Sequence, residues 1–216
     1  MAFSAIIFDC DGVLVDSEKI FLAVEREHLE RIGLSYDRAE YQRRFMGLKT
    51  ADYLSELGND HIAKTGRALP ADFAGKLKAE CLERLQTELE LIDGVETLLE
   101  HHEGAKAVAS SSALDALHMK LEITGIHRRF HPHIYSGEEV ENGKPAPDLF
   151  LMAAHRLGVE PAGCLVIEDS ENGVIAGAAA GMTVWGFTGG GHADDGLKQR
   201  LHGAGAHAVM SSFEEM

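Results

Sequence analysis

The stretch that decides the fold is Ala5-Ile6-Ile7-Phe8-Asp9-Cys10-Asp11-Gly12-Val13-Leu14-Val15-Asp16-Ser17. Ala5 to Phe8 is a continuous apolar run and reads as a buried β-strand. Asp9 and Asp11 stand where that strand should end, and Gly12 lets the chain turn sharply. A carboxylate beside a core is costly unless something pairs with it. Two of them invite a hard cation that prefers oxygen ligands, such as Mg²⁺. Aspartate can also act as a nucleophile and carry a phosphoryl group as an acyl phosphate. A second aspartate can serve the same reaction as general acid and then as base. A strand followed by an ordinary Asp-Gly turn would look the same locally, so the decision falls to the rest of the chain.

At 216 residues the chain is long enough for one large domain or two small ones, and for a sizeable core. Its hydrophobic fraction of 45% and charged fraction of 25% are those of an ordinary soluble globular protein. A net charge of −15 argues against a binder of nucleic acid or of anionic membranes. An anionic substrate would have to be drawn in by a metal or a placed Lys or Arg. Cys10, Cys81 and Cys164 show no Cys-x-x-Cys spacing and read as small buried hydrophobes in a reducing compartment. The twelve histidines are scattered, and a zinc site at His131 and His133 is disfavoured by the strand entry around Pro132. No signal-like stretch or membrane span is present. The expectation is a cytoplasmic monomer with a small-molecule partner, with neither nucleic acid nor membrane as partner.

Hydrophobic periodicity divides the chain in three. Residues 1–15 hold the first strand and its acidic turn. Residues 16–88 are helical in pattern, with Ile20, Phe21, Val24, His28, Leu29 and Ile32 at helical spacing and breaks at Gly33, Gly47, Gly58 and Pro70. From residue 89 on, short apolar runs alternate with helical segments. That alternation predicts a doubly wound α/β fold with a parallel sheet and helices on both faces. The expected organisation is a core of residues 1–15 and 89–216 with a helical domain, 16–88, inserted after strand one.

Ligands of such sheets bind outside the carboxyl ends of the strands. Asp9 and Asp11 follow the first strand, Ser110 to Ser112 follow Ala105 to Ala109, and Glu168 and Asp169 follow Leu165 to Ile167. Lys144 precedes a helix marked by Pro145 and Pro147. All of these fall on one edge of the predicted sheet. Asp9 and Asp169 suit a Mg²⁺ ion, Ser110 can donate to a phosphate oxygen, and Lys144 can neutralise a transferring phosphoryl group. Taken singly, the serines and Glu168-Asp169 are plausible helix caps and Lys144 a surface lysine. Their joint placement favours the chemical reading.

Asp9-Cys10-Asp11-Gly12-Val13, Val108-Ala109-Ser110, Gly143-Lys144-Pro145-Ala146-Pro147-Asp148 and Ile167-Glu168-Asp169-Ser170 resemble the four motifs of the haloacid dehalogenase superfamily. The helical insertion resembles the small α-helical cap of the branch with phosphoglycolate phosphatase, 6-phosphogluconate phosphatase and β-phosphoglucomutase. The resemblance implies that Asp9 is the nucleophile and Asp11 the acid and base. It implies that Asp9, the Asp11 main-chain carbonyl and Asp169 hold Mg²⁺ with Glu168 beside them, and that Ser110 and Lys144 bind the phosphoryl group. Lys49, in Gly47-Leu48-Lys49-Thr50, resembles part of the cap's substrate-specificity loop, though an exposed lysine near a helix start would read the same. Dehalogenases lack the second acid of the first motif, so Asp11 argues for a phosphatase. The mutases carry a His where this chain has Phe21, which weakens that alternative. A catalytically quiet binding protein would show loss of Asp9 or Asp11, and both are present.

Overall fold

Each residue of β1 is buried, as the uninterrupted apolar run requires. The computed structural model describes residues 3–45, 48, 50–102 and 104–216. In chain order its elements are β1 (Ala5–Phe8), α1 (Ser17–Arg31), α2 (Arg38–Phe45), α3 (Thr50–Thr65), α4 (Phe73–Glu88), α5 (Val95–His101), β2 (Ala105–Ser110), α6 (Leu114–Ile123), α7 (His127–Phe130), β3 (Ile134–Ser136), α8 (Asp148–Leu157), β4 (Cys164–Glu168), α9 (Glu171–Ala179), β5 (Thr183–Phe187), α10 (Leu197–Ala204) and β6 (Ala208–Met210). The chain forms two compact units, one of Met1–Lys19 with Glu88–Met216 and one of Ile20–Thr87.

In the first unit, the described residues form a six-stranded sheet of order β3-β2-β1-β4-β5-β6 with every neighbouring pair parallel. The chain builds outward from β1 through β2 to β3, then returns to the other side of β1 with β4. The order therefore reverses between β1 and β4, which opens a crevice at their carboxyl ends. Strand residues alternate between the two faces. Ile7, Ala107, Ala109, Val166 and Val184 share one core with Leu149, Phe150 and Ala153 of α8, Val174 of α9 and Leu201 of α10. Phe8 points the other way and meets Phe130 of α7 edge-on, ring centroids 5.8 Å apart. Both faces are thus covered, as a parallel sheet requires.

The first unit runs through Lys19 rather than ending at residue 15. Val15 bridges Leu91, the Asp16 amide donates to the Glu90 carbonyl at 3.1 Å, and the Ser17 hydroxyl donates to Asp11. These bonds hold the start of α1 to the sheet domain.

The second unit has its own core of Leu29, Leu34, Phe45, Tyr53, Leu57 and Phe73. Phe45 is its aromatic centre, with ring centroids 5.0 Å from Tyr36, 5.2 Å from Tyr41 and 5.7 Å from Tyr53. His28 is buried, its Nε2 2.8 Å from Glu80, which also accepts from Arg31 at 2.7 Å. The break expected at Gly58 does not occur, and α3 runs through it to Thr65. A helix-interior glycine costs only about 1 kcal/mol, and burial of Tyr53 and Leu57 on one face of α3 outweighs it.

Candidate active site

Asp9 leaves β1 with its amide bonded to the Ile167 carbonyl at 3.0 Å, so the ends of β1 and β4 are tied together. Beyond it the chain folds into a tight turn, with the Leu14 and Val15 amides both donating to the Cys10 carbonyl. Gly12 adopts a φ of 75°, and a Cβ there would lie 1.9 Å from Asp169 Oδ2. Glycine is required at Gly12 both by the backbone conformation and by this close approach.

Lys144 is the hub. Its Nζ donates to Asp9 Oδ1 at 2.5 Å, to Glu168 Oε1 at 2.7 Å and to the Ala109 carbonyl at 2.9 Å. One ammonium thus joins the carboxyl ends of β1, β2 and β4. Burial alone would lower the Lys144 pKa, but the Asp9 and Glu168 carboxylates drive it well above the ordinary lysine range. Asp9 is pushed up to about 7, chiefly by burial, with Lys144 opposing and Glu168 and Asp11 adding to the rise. Asp169 is also raised well above the carboxylate range, first by burial and then by Glu168 and Asp9.

Asp11 has different surroundings. Burial would raise it, but Lys120 and the hydroxyls of Ser17 and Ser112 hold it below its ordinary value. Lys120 Nζ donates to Asp11 Oδ1 at 2.5 Å and Ser112 Oγ donates to Oδ2 at 2.8 Å. Ser110 ends β2, is buried, and accepts from the Ser112 amide at 3.1 Å.

The family resemblance puts Glu168 beside the cation, and the structure also bonds it to Lys144 and to the start of α9. Its Oε1 faces Lys144, and its Oε2 accepts from the Ser170 amide and hydroxyl, each at 2.8 Å. The carboxylate packs against Gly173 at the start of α9, where a Cβ would lie 1.7 Å from Oε1. Negative charge is stabilised at a helix N-terminus. Both Glu168 oxygens are thus engaged, and Glu168 anchors Lys144.

Lys49 lies outside the described residues. The loop Gly189-Gly190-Gly191-His192 borders the site. The Gly191 amide donates to Asp16 at 3.1 Å, a Cβ on Gly190 would lie 2.8 Å from the Gly12 carbonyl, and His192 Nε2 stands 3.2 Å from Asp169 Oδ2. Neither His192 nor Lys120 has a role in the sequence reading. Lys120 did leave a signal, being a lysine on the apolar stripe of Leu117 and Leu121. His131 and His133 do not share a site: His133 bonds the Tyr135 hydroxyl at 2.8 Å, and His131 stacks on His127.

The carboxylates of Asp9, Glu168 and Asp169 crowd one crevice around Lys144, and burial disfavours the charge of Asp9 and Asp169. A divalent cation with oxygen preference relieves that crowding, so the donor chemistry fits Mg²⁺. Among the described residues no group of three or more His, Cys, Asp or Glu side chains is arranged as a cage.

Acid side chains held around a buried lysine at a topological switch point place the protein among α/β enzymes that work at the strands' carboxyl ends. The chain belongs to the haloacid dehalogenase-like hydrolases, whose family model matches residues 3–181. It is 38% identical over 192 residues to a probable pseudouridine-5'-phosphatase of Drosophila melanogaster, covering 82% of this chain and 78% of that one. It is 29% identical over 186 residues to the 6-phosphogluconate phosphatase of Escherichia coli K12, covering 85% and 81%. Its fold matches the crystal structure of a HAD family hydrolase from Deinococcus radiodurans R1 with bound phosphate and sodium. That match has a TM-score of 0.86 at 36% identity over 99% of this chain and 93% of that one.

Proposed function

We propose that this protein is a phosphoric monoester hydrolase that cleaves a small phosphorylated metabolite, such as a sugar phosphate or a phosphosugar acid, through an aspartyl-phosphate on Asp9. The observation that carries the reading is the bridge from Lys144 to both Asp9 and Glu168. It holds the Asp9 carboxylate and an ammonium side by side at the carboxyl ends of β1 and β4, which supports reading Asp9 as the nucleophile. The probable pseudouridine-5'-phosphatase and the 6-phosphogluconate phosphatase among the relatives support the substrate class.

In the first step an Asp9 oxygen attacks phosphorus, the P–O bond to the alcohol breaks, and Asp11 gives its proton to the departing oxygen. In the second step water attacks the acyl phosphate, Asp11 takes the water's proton, and phosphate leaves with Asp9 restored. The sum is ester plus water giving alcohol plus phosphate. Lys144 offsets charge on the transferring group, and the Ser110 hydroxyl is available to a phosphate oxygen. Asp9, Asp169 and the Asp11 main-chain carbonyl, with Glu168 beside them, would hold Mg²⁺, which when bound would supply positive charge to the phosphoryl oxygens. We assign the Ile20–Thr87 unit as the cap, with Lys49 contacting the distal part of the substrate.

The test is phosphate release from pseudouridine 5'-phosphate, 6-phosphogluconate, phosphoglycolate, hexose and pentose phosphates, and β-glucose 1-phosphate, with and without Mg²⁺. Release should require Mg²⁺ and fall to the buffer blank in Asp9→Asn, whose fold should remain intact by circular dichroism. Turnover persisting in Asp9→Asn would remove the nucleophile assignment. Isomerisation of β-glucose 1-phosphate without phosphate release would replace the phosphatase with a mutase.

A further inference from the structure

Lys120 belongs to none of the four motifs, yet it is only 4% exposed. A buried ammonium is costly unless paired and hydrogen-bonded. Lys120 projects from α6, on the side of Leu117 and Leu121, to Asp11 Oδ1 at 2.5 Å and to Ser112 Oγ at 3.0 Å. Ser112 in turn donates to the other Asp11 oxygen at 2.8 Å, and its own carbonyl accepts from the buried Ser136 hydroxyl at 2.7 Å, at the end of β3. Ser17 donates to Asp11 from the start of α1. Both Asp11 oxygens are therefore held, by groups on separate segments. A surface carboxylate would need none of this, and the carboxyl group of a turn residue would otherwise rotate freely.

We propose that Lys120, acting with Ser112, is a positioning residue for Asp11: it fixes where that carboxyl group stands when it exchanges a proton with the leaving alcohol. The inference rests on the phosphatase reading above. It has a signature that a purely structural lysine lacks. An alkoxide needs a proton as it departs, whereas p-nitrophenolate is a stable anion and departs without one. Loss of Lys120 should therefore fall on alkyl esters and spare p-nitrophenyl phosphate.

The experiment compares kcat/KM for p-nitrophenyl phosphate and for the alkyl ester of the panel that the wild type hydrolyses best. kcat/KM is the right quantity because it reports steps through alcohol release. The variants are Lys120→Met, Lys120→Gln, Asp11→Asn and the double variant Asp11→Asn/Lys120→Met. Lys120→Met should lower kcat/KM for the alkyl ester by about a hundredfold, the low end of general acid–base contributions. It should lower that for p-nitrophenyl phosphate by less than about threefold. Lys120→Gln, which still offers a donor, should recover part of the loss. In the Asp11→Asn background, removing Lys120 should cost nothing further, because two residues acting as a unit are not additive. Equal losses on both esters, an unchanged or raised alkyl rate, or a full additional loss in the double variant would each overturn the inference. If Lys120→Met does not fold, the double variant decides, since it removes both halves of the buried pair: parity with Asp11→Asn supports the inference and a further loss overturns it. A wild type silent on every ester overturns the phosphatase reading and this inference with it. A wild type active on alkyl esters whose variants miss the pattern overturns this inference alone.

Discussion

Asp9 and Asp11 stand two residues apart and meet opposite environments. Burial and neighbouring acids push Asp9 up, while Lys120 and two hydroxyls hold Asp11 down. An arriving anionic phosphoryl group would raise Asp11 by like-charge repulsion, the direction that the proposed acid role requires. Glu168 and Asp169 likewise separate, one anchoring Lys144 and the other facing the crevice. Their presence at a strand end is legible in the sequence, but their division of labour is not, because it depends on how closely Glu168 packs against Gly173. Gly173→Ala tests that packing. Its Cβ would stand 1.7 Å from Glu168 Oε1, so the carboxylate must move and loosen Lys144. Urea unfolding should show a loss of about 1–3 kcal/mol, as for other overpacked sites, and phosphate release should fall with it. Gly143→Ala, with nothing within 4 Å of its Cβ, should leave stability unaltered, and an equal loss there would show the effect to be general.

At the scale of elements, the strands are the most legible parts. Buried parallel strands read as unbroken apolar runs, and Ala5–Phe8 and Cys164–Glu168 are buried at every residue. Helix ends are less legible where a glycine is merely tolerated. Gly58 lies inside α3, and a Cβ there would meet nothing within 4 Å. Gly58→Ala should therefore stabilise the helix by about 0.5–1 kcal/mol, read as a rise in melting temperature, with a fall showing that the added methyl group meets a close contact. The Lys120 side chain illustrates the opposite limit. A lysine on an apolar stripe is visible as an anomaly in α6, but its partner Asp11 is 109 residues away. Periodicity reports which face is buried and is blind to what lies across the sheet edge.

For the whole molecule, a net charge of −15 and a crevice of acids are compatible only if positive charge is supplied locally. Lys144 and Lys120 supply it from within, and the proposed Mg²⁺ supplies the rest. Stability should then depend on pH in a defined way. An acid whose folded pKa is raised binds more protons folded than unfolded, so its ionisation destabilises the fold. With Asp9 at about 7 in the folded state against an ordinary value of 3.8, and Asp169 also raised, metal-free protein should lose stability as pH rises from about 4 to about 7. In the proposed site Mg²⁺ would compete with those protons for Asp9 and Asp169. Its stabilising effect should be small at about pH 5 and largest near pH 8, as for any ligand that must displace protons. Thermal unfolding with EDTA or with Mg²⁺ at both pH values measures this, and Asp169→Asn should abolish most of the Mg²⁺-dependent rise at the higher pH. A Mg²⁺ shift equal at both pH values, or unaffected by that substitution, would place the cation elsewhere on this acidic surface.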